Sequence, residues 1–164
     1  MATANQQLSS YDAEGLPSAS AMKIHIVVSE WNDKITNGLL DGAKNTLLKE
    51  GLDVNNLGIH YVPGSYELPL GAQFLLEKGN IDAVICLGCV IQGETKHFDF
   101  VCQGISQGIK DVSLKYNKPV IFGVLTDNTI QQSINRSGGK LGNKGVEAAV
   151  SAIKMVALQR KIQG

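Results

Sequence analysis

Residues 93–97, Gly-Glu-Thr-Lys-His, bring a flexible turn, a carboxylate, a hydroxyl, an ammonium and an imidazole into five consecutive positions. They sit inside "GCVIQGETKHFDFV", residues 88–101, which opens as an apolar run and continues as a helical pattern. Gly93 lets the backbone turn, and the free N–H groups of a helix starting there can hold an anion. In that reading Glu94 and Thr95 offer their amides, Thr95 adds its hydroxyl, and the Glu94 carboxylate points to solvent. The plainer alternative is an ordinary strand-to-helix turn with Thr95 as N-cap. His97 falls on the first turn of that helix, whose positive end favours a neutral imidazole able to take a proton. Against this stands the usual fate of a lone histidine, which is structural or solvated. A metal centre built from Glu94, His97 and Asp99 is disfavoured, because Asp99 faces away from His97 on a helix.

Three further residues have chemistry worth positioning. Trp31, the only tryptophan, follows an apolar run directly. It is either a core aromatic over a helix start or a platform for a planar ring. Glu67 follows a Gly-Ser pair and can accept hydrogen bonds from hydroxyls or amines. Arg136 carries a fork suited to phosphate, though an arginine is more often a solvated surface residue. His25 and His60 fall inside apolar runs and read as packed or interface residues. Cys86 and Cys89 form a CxxC, yet they lie within an apolar run and read as small buried hydrophobes rather than a redox or zinc pair.

The elements that must carry these residues are legible as alternating patterns. Four runs rich in Val and Ile, at 23–29, 57–62, 82–88 and 119–125, have the length and composition of parallel strands covered on both faces. Helical periodicity fills 33–50, with Asn32 or Asp33 as N-cap, then 66–78 and 96–116. A short helix capped by Asp127 and a terminal helix follow. The alternation predicts an α/β fold with a parallel sheet and helices on both faces. In such sheets ligands bind beyond the carboxyl ends of the strands. The clusters "SEWN", "VPGSYE", "GCVIQGETKH" and "FGVLTDN" should therefore share one rim.

Bulk properties narrow the class. The 164 residues suit a single domain over 23–164, preceded by a loose polar arm over 1–22. Fifteen basic residues balance fifteen acidic ones, which argues against nucleic acid held by counterion release. No apolar stretch has the length of a membrane span, and the first residues lack the pattern of a secretory signal. The expected setting is cytoplasmic.

The motifs "SEWN", "VPGSYELP", "GCVIQGETKHFDFV", "KPVIFGVLT" and "NRSGGKLGNKGVEAA" together resemble the lumazine synthase family, in order from about residue 23 to the C-terminus. The resemblance implies a flavodoxin-like three-layer α/β/α sandwich with a four-stranded parallel sheet. It also implies a condensation of 5-amino-6-(ribitylamino)uracil with 3,4-dihydroxy-2-butanone 4-phosphate, through an imine, loss of phosphate and ring closure, with no cofactor and no metal. It implies that Trp31 stacks on the pyrimidine and that Ser65, Tyr66 and Glu67 line the ring and its ribityl chain, with Asn32 helping. Cys89, Val90 and Ile91 hold the ring edge through backbone groups. Phosphate rests on the Glu94 and Thr95 amides and on Arg136, His97 moves protons, Phe122 closes the pocket from a neighbouring subunit, and Lys144 lies near ring or phosphate. Gln92 and Trp31 depart from the commoner Arg and Phe of the family.

The family pattern further implies pentamers with sites between neighbours, an arm pairing with a neighbour's sheet, and an association with riboflavin synthase. The short "SGGKLGNKG" favours a hollow 60-subunit shell. A flavin- or lumazine-binding protein without catalysis and a shell-forming protein with a vestigial pocket share the same fold. His97, Glu67 and Arg136 occurring together favour the enzyme.

Overall fold

The computed structural model describes residues 9–164. Four strands, β1 (Ile24–Ser29), β2 (Leu57–Val62), β3 (Ala83–Ile91) and β4 (Val120–Asp127), form one parallel sheet in the order β2-β1-β3-β4. Five helices accompany it: α1 (Asp33–Lys49), α2 (Leu68–Glu77), α3 (His97–Tyr116), α4 (Ile130–Arg136) and α5 (Lys144–Gln163). A two-stranded hairpin, β5 (Ser137–Gly139) with β6 (Gly142–Asn143), links α4 to α5.

The pleat divides the side chains of β1 and β3 between two cores. Ile24, Ile26, Val28, Ile85 and Leu87 meet Leu39 and Leu47 of α1 and Ile153 of α5 on one face. Val27, Val84 and Cys86 meet Leu68 and Leu76 of α2 and Ile105 of α3 on the other. Strands covered on both faces must be apolar at every position, which is why these runs do not alternate. Each fully buried Ile or Leu contributes roughly 1.5–3 kcal/mol. The three-layer sandwich expected from the alternation is the fold observed.

Boundaries differ at functionally relevant places. β3 continues three residues past its expected end at 88, because β4 keeps pace with it as far as Ile91 opposite Asp127. Cys89, Val90 and Ile91 therefore belong to a strand tip rather than a loop. Ser65–Glu67 form a 3-10 turn ahead of α2, which starts at Leu68 with a proline in its first turn. Thr129, not Asp127, caps α4: its hydroxyl accepts the Gln132 N–H, and Gln132 reaches back to complete a capping box.

The arm also departs from a loose leader over 9–22. Leu16, Ala19 and Met22 are buried against α1 and α5, and the Ala19 N–H donates to the Glu50 carbonyl at 2.9 Å. The Tyr11 hydroxyl donates to the Glu50 carboxylate at 2.7 Å. Three apolar side chains with a matching groove outweigh the polar composition that suggested a free chain. The first eight residues, on which the rest of the arm expectation falls, lie outside the described residues.

Candidate active site

The carboxyl ends of β1, β2 and β3 surround an open cavity of about 310 Å3. Its walls come from Trp31 and Asn32 after β1, Gly64 to Glu67 after β2, Cys89 to Ile91 on β3, and His97 with Val101 on α3. Trp31 is 72% exposed, so it is a rim platform and not a core aromatic. Tyr66, Glu67 and His97 are exposed beside it.

The strand tip explains the cavity. β1 runs out at Ser29, and its register with β3 ends at Val28 opposite Leu87. Beyond that point β3 has β4 on one side and no strand on the other. Peptide groups alternate in direction along a strand, and the Gln92 N–H bonds the Asp127 carbonyl on the β4 side at 2.9 Å. Cys89 and Ile91 therefore turn their N–H and C=O towards the missing strand.

Two side chains take over the ladder at Cys89. Its N–H donates to the Ser65 hydroxyl oxygen at 3.2 Å, and its carbonyl accepts from the Asn32 side-chain amide at 3.0 Å. Ile91 is left to present its peptide edge to the cavity. Such a donor–acceptor edge complements the amide edge of a planar heterocycle. Gly88 makes this possible, since a Cβ there would lie 2.5 Å from the Ser65 oxygen.

Ser65 and Asn32 thus line the cavity and, beyond that expectation, brace the tip of β3. Ser65 is only 7% exposed, and its oxygen is committed to the strand tip. Asn32 stands at the N-cap of α1 in the left-handed region, φ 62°, but makes no side-chain cap bond. Its amide is drawn to Cys89, where a buried carbonyl would otherwise be unpaired.

His97 opens α3 and its N–H donates to the Thr95 hydroxyl at 3.4 Å, but the N-cap position is held by Lys96, not Thr95, and carries no side-chain cap bond. Glu94 and Thr95 are exposed just ahead of His97 along the chain and are not among the residues that line the cavity. Phe122 and Arg136 are not in this cavity. Phe122 faces a separate groove with Ile109, Leu114 and Val120. Arg136 ends α4, donating to the Leu141 carbonyl at 2.9 Å and to Glu147 at 2.6 Å. Glu147 also holds Lys144 at 3.1 Å, which leaves a pre-ordered pair of cations sharing one carboxylate. Neither Glu147 nor the buried Ser133 stood out in the sequence, because each depends on a partner distant along the chain or on the facing strand.

Cys86 and Cys89 are buried, as expected, while Cys102 is half-buried. Burial pushes the Cys86 thiol up to about 12 and raises Cys89 as well, so neither is a ready thiolate. Among the described residues no three His, Cys, Asp or Glu side chains are grouped as metal ligands. His25 and His60 pair with each other across β1 and β2, ring nitrogens 3.1 Å apart, and neither lines the cavity.

A doubly covered parallel sheet with a cavity beyond its strand ends puts this chain in the α/β class, in which ligands bind at that end of the sheet. The chain belongs to the 6,7-dimethyl-8-ribityllumazine synthase family, whose model matches residues 21–160. It is 57% identical over 156 residues to the 6,7-dimethyl-8-ribityllumazine synthase of Parabacteroides distasonis, covering 95% of this chain and 98% of that one. The synthase of Flavobacterium johnsoniae is 55% identical over 161 residues, covering 98% and 85% of the two chains. That of Cytophaga hutchinsonii is 55% identical over 157 residues, covering 96% and 98%.

Proposed function

We propose that this chain acts in riboflavin biosynthesis, condensing 5-amino-6-(D-ribitylamino)uracil with 3,4-dihydroxy-2-butanone 4-phosphate to 6,7-dimethyl-8-ribityllumazine. The observation that carries the reading is the free Ile91 peptide edge beside the Trp31 ring and the Glu67 carboxylate, in a chain whose relatives are synthases along nearly their whole length. Trp31 and Tyr66 flank the pyrimidine face, Cys89 to Ile91 grip its edge, and Glu67 accepts from ribityl hydroxyls. Ser65 and Asn32 serve the ring by holding the strand that reads it.

The chemistry needs no cofactor or metal, because every step is an addition, an elimination or a proton transfer. The pyrimidine amine adds to the butanone carbonyl, and water leaves to give an imine. A proton is taken from the adjacent carbon as phosphate departs with the C–O electron pair. After tautomerisation the ribityl-bearing nitrogen closes on the remaining carbonyl and a second water leaves. His97 is the proton carrier at the mouth, and the amides of Glu94 and Thr95 receive phosphate.

Phe122 and Arg136 lie outside the cavity of their own chain, so the site is completed between neighbours in a homo-oligomer. Phe100, Leu114 and Ile162 are 69%, 73% and 75% exposed, an apolar load that supports burial against further copies. The family pattern supports pentamers, and the short β5–β6 connection supports the 60-subunit shell. The open outer edge of β2 suits a neighbour's arm. Association with riboflavin synthase belongs to the same reading. So does a cytoplasmic setting, which three unpaired cysteines favour; no helix among the described residues is long and apolar enough to cross a membrane.

The purified chain should convert the two substrates without added metal, read as lumazine fluorescence. A folded oligomer that forms no product refutes the reading, and native mass spectrometry fixes the copy number.

A further inference from the structure

Besides the Ser65–Asn32 clamp, the tip of β3 is held by a second chain of side-chain bonds, buried at Cys89 and Ser133 and half-buried at Asp127. The Cys89 thiol donates to the Ser133 hydroxyl oxygen at 3.3 Å, and that hydroxyl donates to the Asp127 carboxylate at 2.7 Å. Ser133 is 0% exposed and Cys89 1%. A hydroxyl has one proton, so the short bond to the carboxylate fixes its direction and leaves its lone pair for the thiol. Asp127 is also the β4 residue opposite Ile91, and its carbonyl accepts the Gln92 N–H. The tip is therefore closed into a loop of contacts, by Asp127's backbone on one side and by its side chain, through Ser133, on the other.

Ser133 lies on α4, one turn before Arg136. We propose that Ser133 is a positioning residue which, with Asp127 and Cys89, locks the tip of β3 to α4. One buried hydroxyl thereby sets both the Ile91 peptide that reads the ring and the helix that presents Arg136. The inference rests on the synthase reading for what is positioned, though the chain of bonds stands without it.

The test compares the full chain with Ser133→Ala and Cys89→Ala, singly and together. Amide hydrogen exchange in peptides covering 88–92 is measured alongside KM for each substrate and kcat. Ser133→Ala should speed exchange over 88–92 by about tenfold or more, since both hydrogen bonds of the hydroxyl are lost, with distant peptides unchanged. KM for the pyrimidine substrate should rise about three- to tenfold and kcat should change less. Cys89→Ala should show the same local loosening, and the double variant less than the product of the two.

Unchanged exchange over 88–92 in folded Ser133→Ala overturns the proposal, as does a uniform rise over the whole chain, which would make Ser133 merely structural. Local loosening with wild-type KM for both substrates also overturns it. Wild-type protein that fails to turn over sinks the synthase reading alone, and the exchange comparison still decides the lock.

Discussion

Gly88→Ala probes the strand tip directly. A Cβ at 88 would lie 2.5 Å from the Ser65 oxygen, 2.9 Å from Leu68 Cδ1 and 3.2 Å from the Ser65 Cβ. Ser65 must move, and with it the acceptor of the Cys89 N–H. Overpacking costs about 1–3 kcal/mol and the lost hydrogen bond about 1 kcal/mol, together about 2–4 kcal/mol. For a chain of this size that is a fall of about 5–15 °C in Tm at fixed protein concentration. The pyrimidine-side KM should rise as the Ile91 edge shifts. Removing the obstacle with Ser65→Gly costs about 1–2 kcal/mol by itself, from the unpaired amide and the added backbone freedom. The Gly88→Ala, Ser65→Gly double variant keeps only the 2.9 Å approach to Leu68 Cδ1, so it should lose clearly less than the sum of the two single variants. Urea unfolding of the four proteins, with substrate kinetics on each, measures this. Additive losses, or a Gly88→Ala protein with wild-type stability and KM, would show that Ser65 is not the obstacle and that its clamp does not set the edge.

His97→Ala should lower kcat by up to about 10²-fold, the low end for general acid–base groups, because the exposed site admits water as a substitute; an unchanged kcat removes His97 from proton transfer. Arg136→Ala should raise KM for the phosphorylated substrate by about tenfold or more while sparing the pyrimidine, and a defect confined to the pyrimidine would mean the subsites are exchanged. The His25–His60 pair predicts acid sensitivity. Burial first, then repulsion from His60, Lys23 and Lys78, holds His25 below its ordinary value, and burial with Lys78 does the same to His60. Folded protein then binds fewer protons than unfolded, so this stability is present above the unfolded value of about 6.5 and is lost as pH falls through the folded ones. Wild type should lose more stability than His60→Gln between neutral pH and pH values below that range, and parallel slopes in urea unfolding would contradict the coupling.

Much of the site was legible because it sits at strand ends. Trp31, Glu67 and His97 follow apolar runs, and the rule that ligands lie beyond the carboxyl ends of parallel strands puts them on one rim without knowledge of any contact. Ser65 and Asn32 were legible as lining residues but not as braces of the strand tip. Their true partner, the Cys89 peptide, is 24 and 57 positions away, and nothing local marks it. The Thr129–Gln132 capping box, by contrast, was present in the sequence as a Thr-x-x-Gln pattern, and it assigns the cap of α4 to Thr129 instead of Asp127. Asp127 is thereby free to hold Ser133.

The sequence by itself determined the order of strands and helices, their burial on both faces, the rim and the family. All of these follow from hydrophobic period and motif order, which are properties of neighbouring residues. Only the tertiary structure decided that β3 outruns β1, for the end of a ladder depends on the relative lengths of two strands brought side by side. From that mismatch come the exposed Ile91 peptide, the conversion of Ser65 and Asn32 into braces, and the cavity itself. The tertiary structure likewise tied Arg136 to Glu147 and turned Phe122 away from its own chain's pocket, because those placements depend on which surfaces of the folded chain meet.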